Sequence, residues 1–388
     1  MKKSLLALAA MGAFVGAAQA QSSVTVYGLV DAGVGSSNIT SGANGANTTK
    51  QNFIGGLSSA NGTGQEAGTR LGFRGTEDVG GGTRVGFTIE VGLNLSNATN
   101  STVTPAANDG TQGNTALFNN TRQAFASLGN TKLGELRIGT QDSLAKNLLG
   151  FYDPTKEAIT TGAASLYQQG TIVRYGQAAT YQAPSMAGVT VRAQYSGDGS
   201  TYGNVGSTQT PTTNNVWSVS AKFDQGPLSV GAVYEARLAP TVAAGTASST
   251  VAMLPNLATA VNYASINQVG VAAEYDFKVI KPMVSYYNQK WNSPVATAQG
   301  SINGIQLGAT APVTSTVSLV ASYVTGKITN NSSDLYNTSG MQAQVNYALS
   351  KRSRLYGIYG QTNWNSQRTA TTADVKVQQY GLGLLHTF

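Results

Sequence analysis

Arg70, Arg74, Arg84, Arg122 and Arg137 are the residues best placed to do chemistry in this chain, and an acidic set follows them at Asp142, Asp153 and Glu157. Lys146, Lys156 and Arg174 are interleaved with those acids. A set of this kind generates an electric field. It does not by itself break bonds: the chain has no Cys and one histidine, His386, so thiolate chemistry, an imidazole base beside a nucleophile and a transition-metal site have little to build on. The chemistry on offer is selection and steering of charged species.

Such side chains need a scaffold, and the composition restricts it. Charged residues make up 11% of the chain, against about 25% in ordinary soluble domains. Glycine (46) and tyrosine (18) are abundant. The first twenty residues, MKKSLLALAAMGAFVGAAQA, read as an export signal: Lys2 and Lys3, an apolar run from Leu5 to Ala17, then Ala18-Gln19-Ala20 as the cleavage pattern. The apolar run is shorter than the roughly 20 residues of a spanning helix. Cleavage would leave a mature domain from Gln21 to Phe388 with 22 basic and 17 acidic residues, a net charge of +5. The basic residues are dispersed, with no Lys/Arg-rich run, which argues against nucleic acid as a partner.

From about residue 24 onward, segments of roughly ten residues alternate apolar with polar or tiny side chains, the pattern of strands with lipid on one face and water on the other. In Thr83 to Asn94, Val85, Phe87, Ile89, Val91 and Leu93 oppose Arg84, Gly86, Thr88, Glu90, Gly92 and Asn94. Segments 279–290 and 352–363 alternate poorly. Short turns at 77–82, 129–134, 184–188, 224–227, 276–279, 311–315 and 349–353 punctuate the chain. Long polar stretches separate them, near 34–67, 95–119, 141–174, 197–214, 238–264, 291–300, 327–337 and 364–375. Short turns on one side and long loops on the other predict an all-β fold: a sixteen-stranded antiparallel transmembrane β-barrel with both ends in the periplasm. A soluble sandwich has strands of about five or six residues. A β-helix has a short fixed repeat, and none is present.

The final strand, YGLGLLHTF, puts Tyr380, Leu382, Leu384, His386 and Phe388 on one face, and its terminal Phe388 looks like the signal read by the barrel-insertion machinery. VTVYGLVDAG after the export signal, TRLGFRGTEDVGGG at 69–82, TRQAFASLG at 121–129 and the closing GLLHTF resemble the trimeric general porins of β-proteobacteria. The resemblance implies an outer-membrane homotrimer reached through the periplasm, surrounded by lipid and lipopolysaccharide, passing ions and small hydrophilic solutes without a cofactor. It also implies that the third long loop, 141–174, folds inward to narrow each pore.

Alternation against Leu71 and Phe73 turns Arg70 and Arg74 inward, and an outward Phe125 would turn Arg122 inward. An arginine on the lipid face at mid-depth costs roughly 2–4 kcal/mol. The resemblance carries Arg70, Arg74 and Arg122 over to a basic constriction wall, with Arg137 close by. Thr140 and Leu385 stand where such porins usually, or often, carry a basic residue. Asp142, Asp153 and Glu157 are expected to face the basic wall across the pore, with Lys146, Lys156 and Arg174 neutralising part of their field and Tyr152 and Tyr167 supplying rigid walls. The expected selectivity is a weak preference for anions. Tyr27 could face either way, while most tyrosines fall outward at strand ends. His386 is expected at the periplasmic rim. The rival readings are a substrate-selective channel, a closed adhesive barrel and a barrel enzyme.

Overall fold

The computed structural model describes residues 23–41, 47–55, 66–95, 118–156, 174–197, 201–205, 208–212, 215–238, 265–292, 299–330, 333–367 and 374–388. Residues 1–22, including the expected export signal, lie outside this set, as do Glu157 and Tyr167.

The strands in chain order begin with β1 (Ser23–Ser41), β2 (Asn47–Gly55), β3 (Arg70–Gly80), β4 (Thr83–Leu93), β5 (Phe118–Asn130) and β6 (Gly134–Asp142). One helix, α1 (Leu144–Phe151), follows. Then come β7 (Arg174–Gln182), β8 (Val189–Ser196), β9 (Thr201–Val205), β10 (Thr208–Thr212), β11 (Asn215–Gln225), β12 (Leu228–Leu238) and β13 (Ser265–Tyr275). The wall is completed by β14 (Lys281–Asn292), β15 (Gly300–Pro312), β16 (Val317–Asn330), β17 (Ser333–Ala348), β18 (Ser353–Ser366) and β19 (Val375–Thr387).

Every pairing is antiparallel and most join chain neighbours; β8 pairs with β11 across the β9–β10 hairpin, and β1 closes the ring on β19 from Leu29↔Thr387 to Ser41↔Val375. The lower half of β1 pairs with β3 and its upper half with β2, so β2 and β3 form one interrupted wall strand. Counted that way, the described residues form a closed barrel of sixteen strands, as the alternation predicts. The small β9–β10 hairpin stands apart from the wall. Closure is sealed at the C-terminus, where Gly28 and Phe388 exchange two main-chain hydrogen bonds of 3.2 Å. A Cβ on Gly28 would collide with the Phe388 ring and the Arg70 carbonyl oxygen, so glycine there admits the terminal aromatic. At the first short turn Gly80, Gly81 and Gly82 all take positive φ (91°, 62° and 76°), which only glycine adopts freely.

Outward side chains remain exposed although they are apolar, with Val85, Phe87 and Ile89 at 44%, 38% and 46% on β4. A continuous exposed apolar surface of this kind is a lipid-facing band. In two of the expected long loops, much of the described backbone is instead paired. Strands β1 and β2 continue as a hairpin to Ser41 and Asn47, and β16 and β17 nearly meet between Asn330 and Ser333. The main-chain ladder runs past the membrane, where alternation loses its meaning because both faces are wet. Segments 279–290 and 352–363 are ordinary wall strands. Their lumen faces carry Met283, Tyr287 and Trp291 on β14 and Tyr356 and Ile358 on β18, all buried, so both faces are apolar and the alternation vanishes.

The buried core lies inside the barrel. Leu144, Leu148 and Leu149 of α1, with Tyr152, form one cluster with lumen-facing Val233, Ile266, Tyr287 and Trp291. The helix packs on β11, β12 and β13. A Cβ on Gly231 would lie 2.9 Å from Leu148 and from Tyr152, and one on Gly270 would lie 3.0 Å from Leu149. Those two glycines let the helix approach the wall.

Candidate functional site

Strands β3 to β6 position the arginines. Arg70 and Arg74 pair in register with Gly92 and Thr88, on the lumen face, while Leu71 and Phe73 pair with Val91 and Ile89 on the lipid face. Tyr27 faces the lumen as well: it pairs with Gly72, its ring fills the space a side chain there would occupy, and the Arg74 guanidinium stands 5.2 Å from the ring centre.

Arg122 reaches the lumen by a different route from the one the alternation suggests. Phe125 pairs with Thr88 and Gly139, and the Arg137 guanidinium lies 5.5 Å from its ring, so Phe125 faces inward and not outward. Strict alternation from an inward Phe125 would send Arg122 to lipid. A register shift next to Glu90 prevents this: Gln123 pairs with Glu90, Thr121 pairs with Val91, and Arg122 is the extra residue between them. A β-bulge re-aims a side chain in this way. Arg122 Nε then donates to Glu90 Oε1 at 2.5 Å, with both side chains about one-tenth exposed.

Glu90 is the site residue that sequence reasoning missed. Its lumen orientation is legible in the alternation of β4; its partner is not, because the bulge that delivers Arg122 leaves no mark in the pattern. Arg70 has Arg122, Glu90 and Asp142 among its electrostatic neighbours, so these four charges form one group. Arg137 pairs with Glu135 two residues away on its own strand, at 2.7 Å. Arg84 is exposed nearer the periplasmic mouth. Thr140 pairs with Ala124, which in turn pairs with Ile89 on the lipid face, while Gln141 lines the lumen. The position that looked like a missing basic rung therefore does not face the pore.

The described loop acids, Asp142 and Asp153, are already engaged. Asp142, at the end of β6, bonds Lys146 Nζ at 2.8 Å and lies 3.1 Å from Arg174 Nε, which ties together the two roots of the 141–174 segment. Ser143 caps α1, its hydroxyl accepting from the Lys146 N–H at 3.1 Å. Asp153 is fully buried: its carboxylate accepts from the N–H and hydroxyl of Thr155 (3.0 and 2.7 Å) and from Gln306 Nε2 on β15 at 2.8 Å. It fastens the segment to the far wall and does not present a charge to the arginines. Burial pushes the Tyr152 phenol up to about 12, so it stays neutral while hydrogen-bonded to Ser229 at 2.9 Å. What the described part of this segment offers to the lumen is basic and aromatic. Phe151 is 39% exposed, and Lys222 Nζ and Lys156 Nζ stand 3.6 Å and 5.6 Å from its ring centre.

Wall strands β3 to β6 carry the arginines, whereas α1 and Asp153 attach to β11 to β13 and β15, about half a circuit away in a sixteen-strand ring. A polar side cavity of about 200 Å³, lined by Phe125, Arg137, Gln141, Asn147, Arg192 and Gln194, opens between the root of α1 and the wall. On the other flank Glu66, Ala67 and Thr69, just before β3, enter the lumen. Arg354 of β18 holds Glu66 through two hydrogen bonds, and Asp31, fully buried, accepts from Tyr356 at 2.6 Å and from the Ala67 N–H at 2.7 Å. That second inward segment carries no sequence signature, since 34–67 reads as a polar loop. Leu385 belongs to the same corner, packed with Leu29, Tyr356 and Ile358. His386 shares a 2.8 Å hydrogen bond with Ser353 at the periplasmic rim.

Comparison with known proteins gives the same picture. Residues 7–367 match the model of the Gram-negative porin family. An outer membrane porin protein of Bordetella pertussis is 29% identical over 422 residues, covering 100% of both chains. Among solved structures, an anion-selective porin from Comamonas acidovorans superposes with a TM-score of 0.68 at 20% identity, covering 95% of this chain and 100% of that one. The trimer form of Vibrio cholerae OmpT superposes at 0.62 and 15% identity, covering 95% and 99%. A closed sixteen-strand wall, a lipid-facing apolar band and a charged, partly filled lumen are what a passive pore requires, and the chain belongs to the Gram-negative porin family, as a porin of the outer membrane.

Proposed function

We propose that this outer-membrane diffusion porin has its narrowest section between a basic wall, made by Arg70, Arg74, Arg122 and Arg137, and the α1 segment, and that it passes anions slightly better than cations. The observation that carries the reading is the distribution of acids. Asp142 and Asp153, the described acids of the loop, are engaged by Lys146, Arg174, Thr155 and Gln306. Exposed Arg74, with no ion pair among the described residues, keeps positive charge at the lumen surface, whereas Lys222 is paired with Asp224 at 3.0 Å. In a low-dielectric passage such a charge raises the local anion concentration.

Several further assignments belong to this proposal. Residues 1–20 act as a removed export signal, and the mature chain assembles as a homotrimer, as OmpT of Vibrio cholerae does in its trimer form. Phe388, which closes the ring on Gly28, serves as the assembly signal. No catalytic step is assigned: His386 sits at the rim with Ser353, away from the charged lumen. The solutes are ions and small hydrophilic molecules.

Planar-bilayer recording of the refolded protein in a KCl gradient tests the proposal. Conductance steps in threes with a small reversal potential of anionic sign are expected. Folded barrels without conductance would mean a closed, adhesive protein, and a cationic sign would remove the basic surplus from the narrowest section.

A further inference from the structure

The inner segment leaves the wall at Asp142 and rejoins it at Arg174, and its two ends are anchored differently. The outgoing end, α1 and Asp153, docks on β11 to β13 and on β15. The returning end enters β7 through an irregular step. Gly139 pairs with Ala178 and Gln141 pairs with Tyr175, so Gly176 and Gln177 together oppose Thr140. Gln177 takes a positive φ of 42°, a left-handed conformation that residues other than glycine adopt rarely. Thr180 is buried and lines the polar side cavity of the lumen, and strict alternation from it would turn Tyr175 to lipid. The bulge supplies one extra residue and turns Tyr175 inward.

Once inward, the Tyr175 phenol reaches β12, past β8 and β11 in the wall. Its hydroxyl donates to Glu235 Oε1 and accepts from Arg237 at 3.4 Å. Gln268 Nε2 on β13 donates to the same carboxylate oxygen at 2.8 Å, and Tyr287 on β14 donates to Gln268 Oε1 at 3.3 Å. Tyr287 belongs to the cluster that seats α1. A chain of hydrogen bonds therefore links the returning end of the segment to the patch of wall on which the outgoing end is docked. Glu235 is its junction. A carboxylate oxygen accepts both donors at once, and its charge strengthens each bond. Glu235 and its cationic neighbour Arg237 are 2% and 5% exposed, so this charge is met inside the wall and is not presented to passing ions.

We propose that Glu235 is a positioning residue for the pore: acting through Tyr175, it holds the returning end of the 141–174 segment against β12 and so sets the size limit for solutes, without setting ion selectivity. The inference rests on the reading that the α1 segment bounds the narrowest section. It goes further by giving size exclusion and charge selection to different residues.

The experiment is liposome swelling with neutral sugars, arabinose against the larger raffinose, with reversal potentials recorded on the same refolded preparations. Tyr175→Phe removes one hydroxyl and keeps the ring, and Glu235→Gln keeps the shape and removes the charge. Either should raise the raffinose-to-arabinose rate ratio roughly tenfold, about what one hydrogen bond to a charged group is worth. The double variant should rise no further, because both changes break the same contact. Reversal potentials should stay at the wild-type value. The chain has no cysteine of its own, so Tyr175→Cys with Glu235→Cys, joined by a reducible bifunctional thiol reagent, should restore the wild-type ratio, and reduction should undo the restoration. A structural defect elsewhere would not be rescued in this way. A shift of the reversal potential in Glu235→Gln as large as that in Arg122→Ala would overturn the proposal, since Glu235 would then act on the field. An unchanged ratio in Tyr175→Phe and Glu235→Gln, with a raised ratio in Leu149→Ala, would overturn the proposal alone. An unchanged ratio in all three would overturn the underlying reading of the narrowest section as well.

Discussion

The two halves of the lumen are built on opposite plans. Along β3 to β6 the wall holds charge at its surface, and each arginine is either balanced locally, as Arg122 is by Glu90 and Arg137 by Glu135, or left open, as Arg74 is. Along β11 to β15 the wall carries Gly231, Gly270 and Gly308, apolar side chains and a few charges buried among their partners, such as Glu235 with Tyr175, and a helix and a buried aspartate occupy the space. One half does electrostatics. The other is a packed core that happens to lie inside a pore. The difference teaches that the inner segment is held by packing against its own wall and not by attraction to the arginines across the lumen.

The comparison breaks most visibly if the packed half is disturbed. Leu149→Ala removes a 1% exposed side chain from the cluster and should cost roughly 2–5 kcal/mol of docking energy. Because the wall's hydrogen-bond ladder does not involve α1, the barrel should remain heat-resistant in detergent while single-channel conductance rises and becomes noisier. Unchanged conductance would place α1 away from the limiting section. Gly308→Val, which would collide with Pro154, should act in the same direction from the other end of the segment.

A smaller effect is expected from the charged half. Arg122→Ala leaves Glu90 one-tenth exposed and without its guanidinium, so the reversal potential should move towards cations. Glu90→Gln should move it towards anions. Breaking a buried ion pair from one side costs roughly 3–5 kcal/mol, and a pair lining a wet lumen should cost less. The double variant should fall near the wild type, because the two changes remove opposite charges from one spot. If Arg122→Ala leaves the reversal potential where it is, the bulge delivers that arginine outside the field-setting section.

How far the chain could be read in advance differs between these halves. The lipid-facing alternation of β4 and the short turns such as 77–82 report a requirement that every residue must meet, so they were legible. The bulge at Arg122 is not legible: it is a local register choice, and Phe125, expected outward, faces the lumen beside it. The inner core was invisible because it erases alternation in the strands that build it, as Met283, Tyr287 and Trp291 do in β14. The acids illustrate a further limit. Spacing marks Asp142 and Asp153 as charges on a loop, and only three-dimensional contacts reveal that one ties the loop's roots and the other grips Gln306.

The smallest expected effect discriminates best between the two plans. Asp142→Asn removes a carboxylate that binds Lys146 and Arg174, whose side chains are 13% and 19% exposed. Like the Arg122–Glu90 pair, this largely buried ion pair in a wet lumen should cost less than the roughly 3–5 kcal/mol of a dry one to break, and the wall ladder does not depend on it, so the fold and the conductance should survive. Two cations at the loop root then lose their counter-charge, and the reversal potential should move slightly further towards anions, by less than Glu90→Gln moves it. Had Asp142 faced the arginines across the pore, its removal would have weakened a transverse field and shifted selectivity at least as much as Glu90→Gln. A shift of that larger size in a KCl gradient would therefore return Asp142 to the pore surface and join the two halves of the lumen into one electrostatic unit.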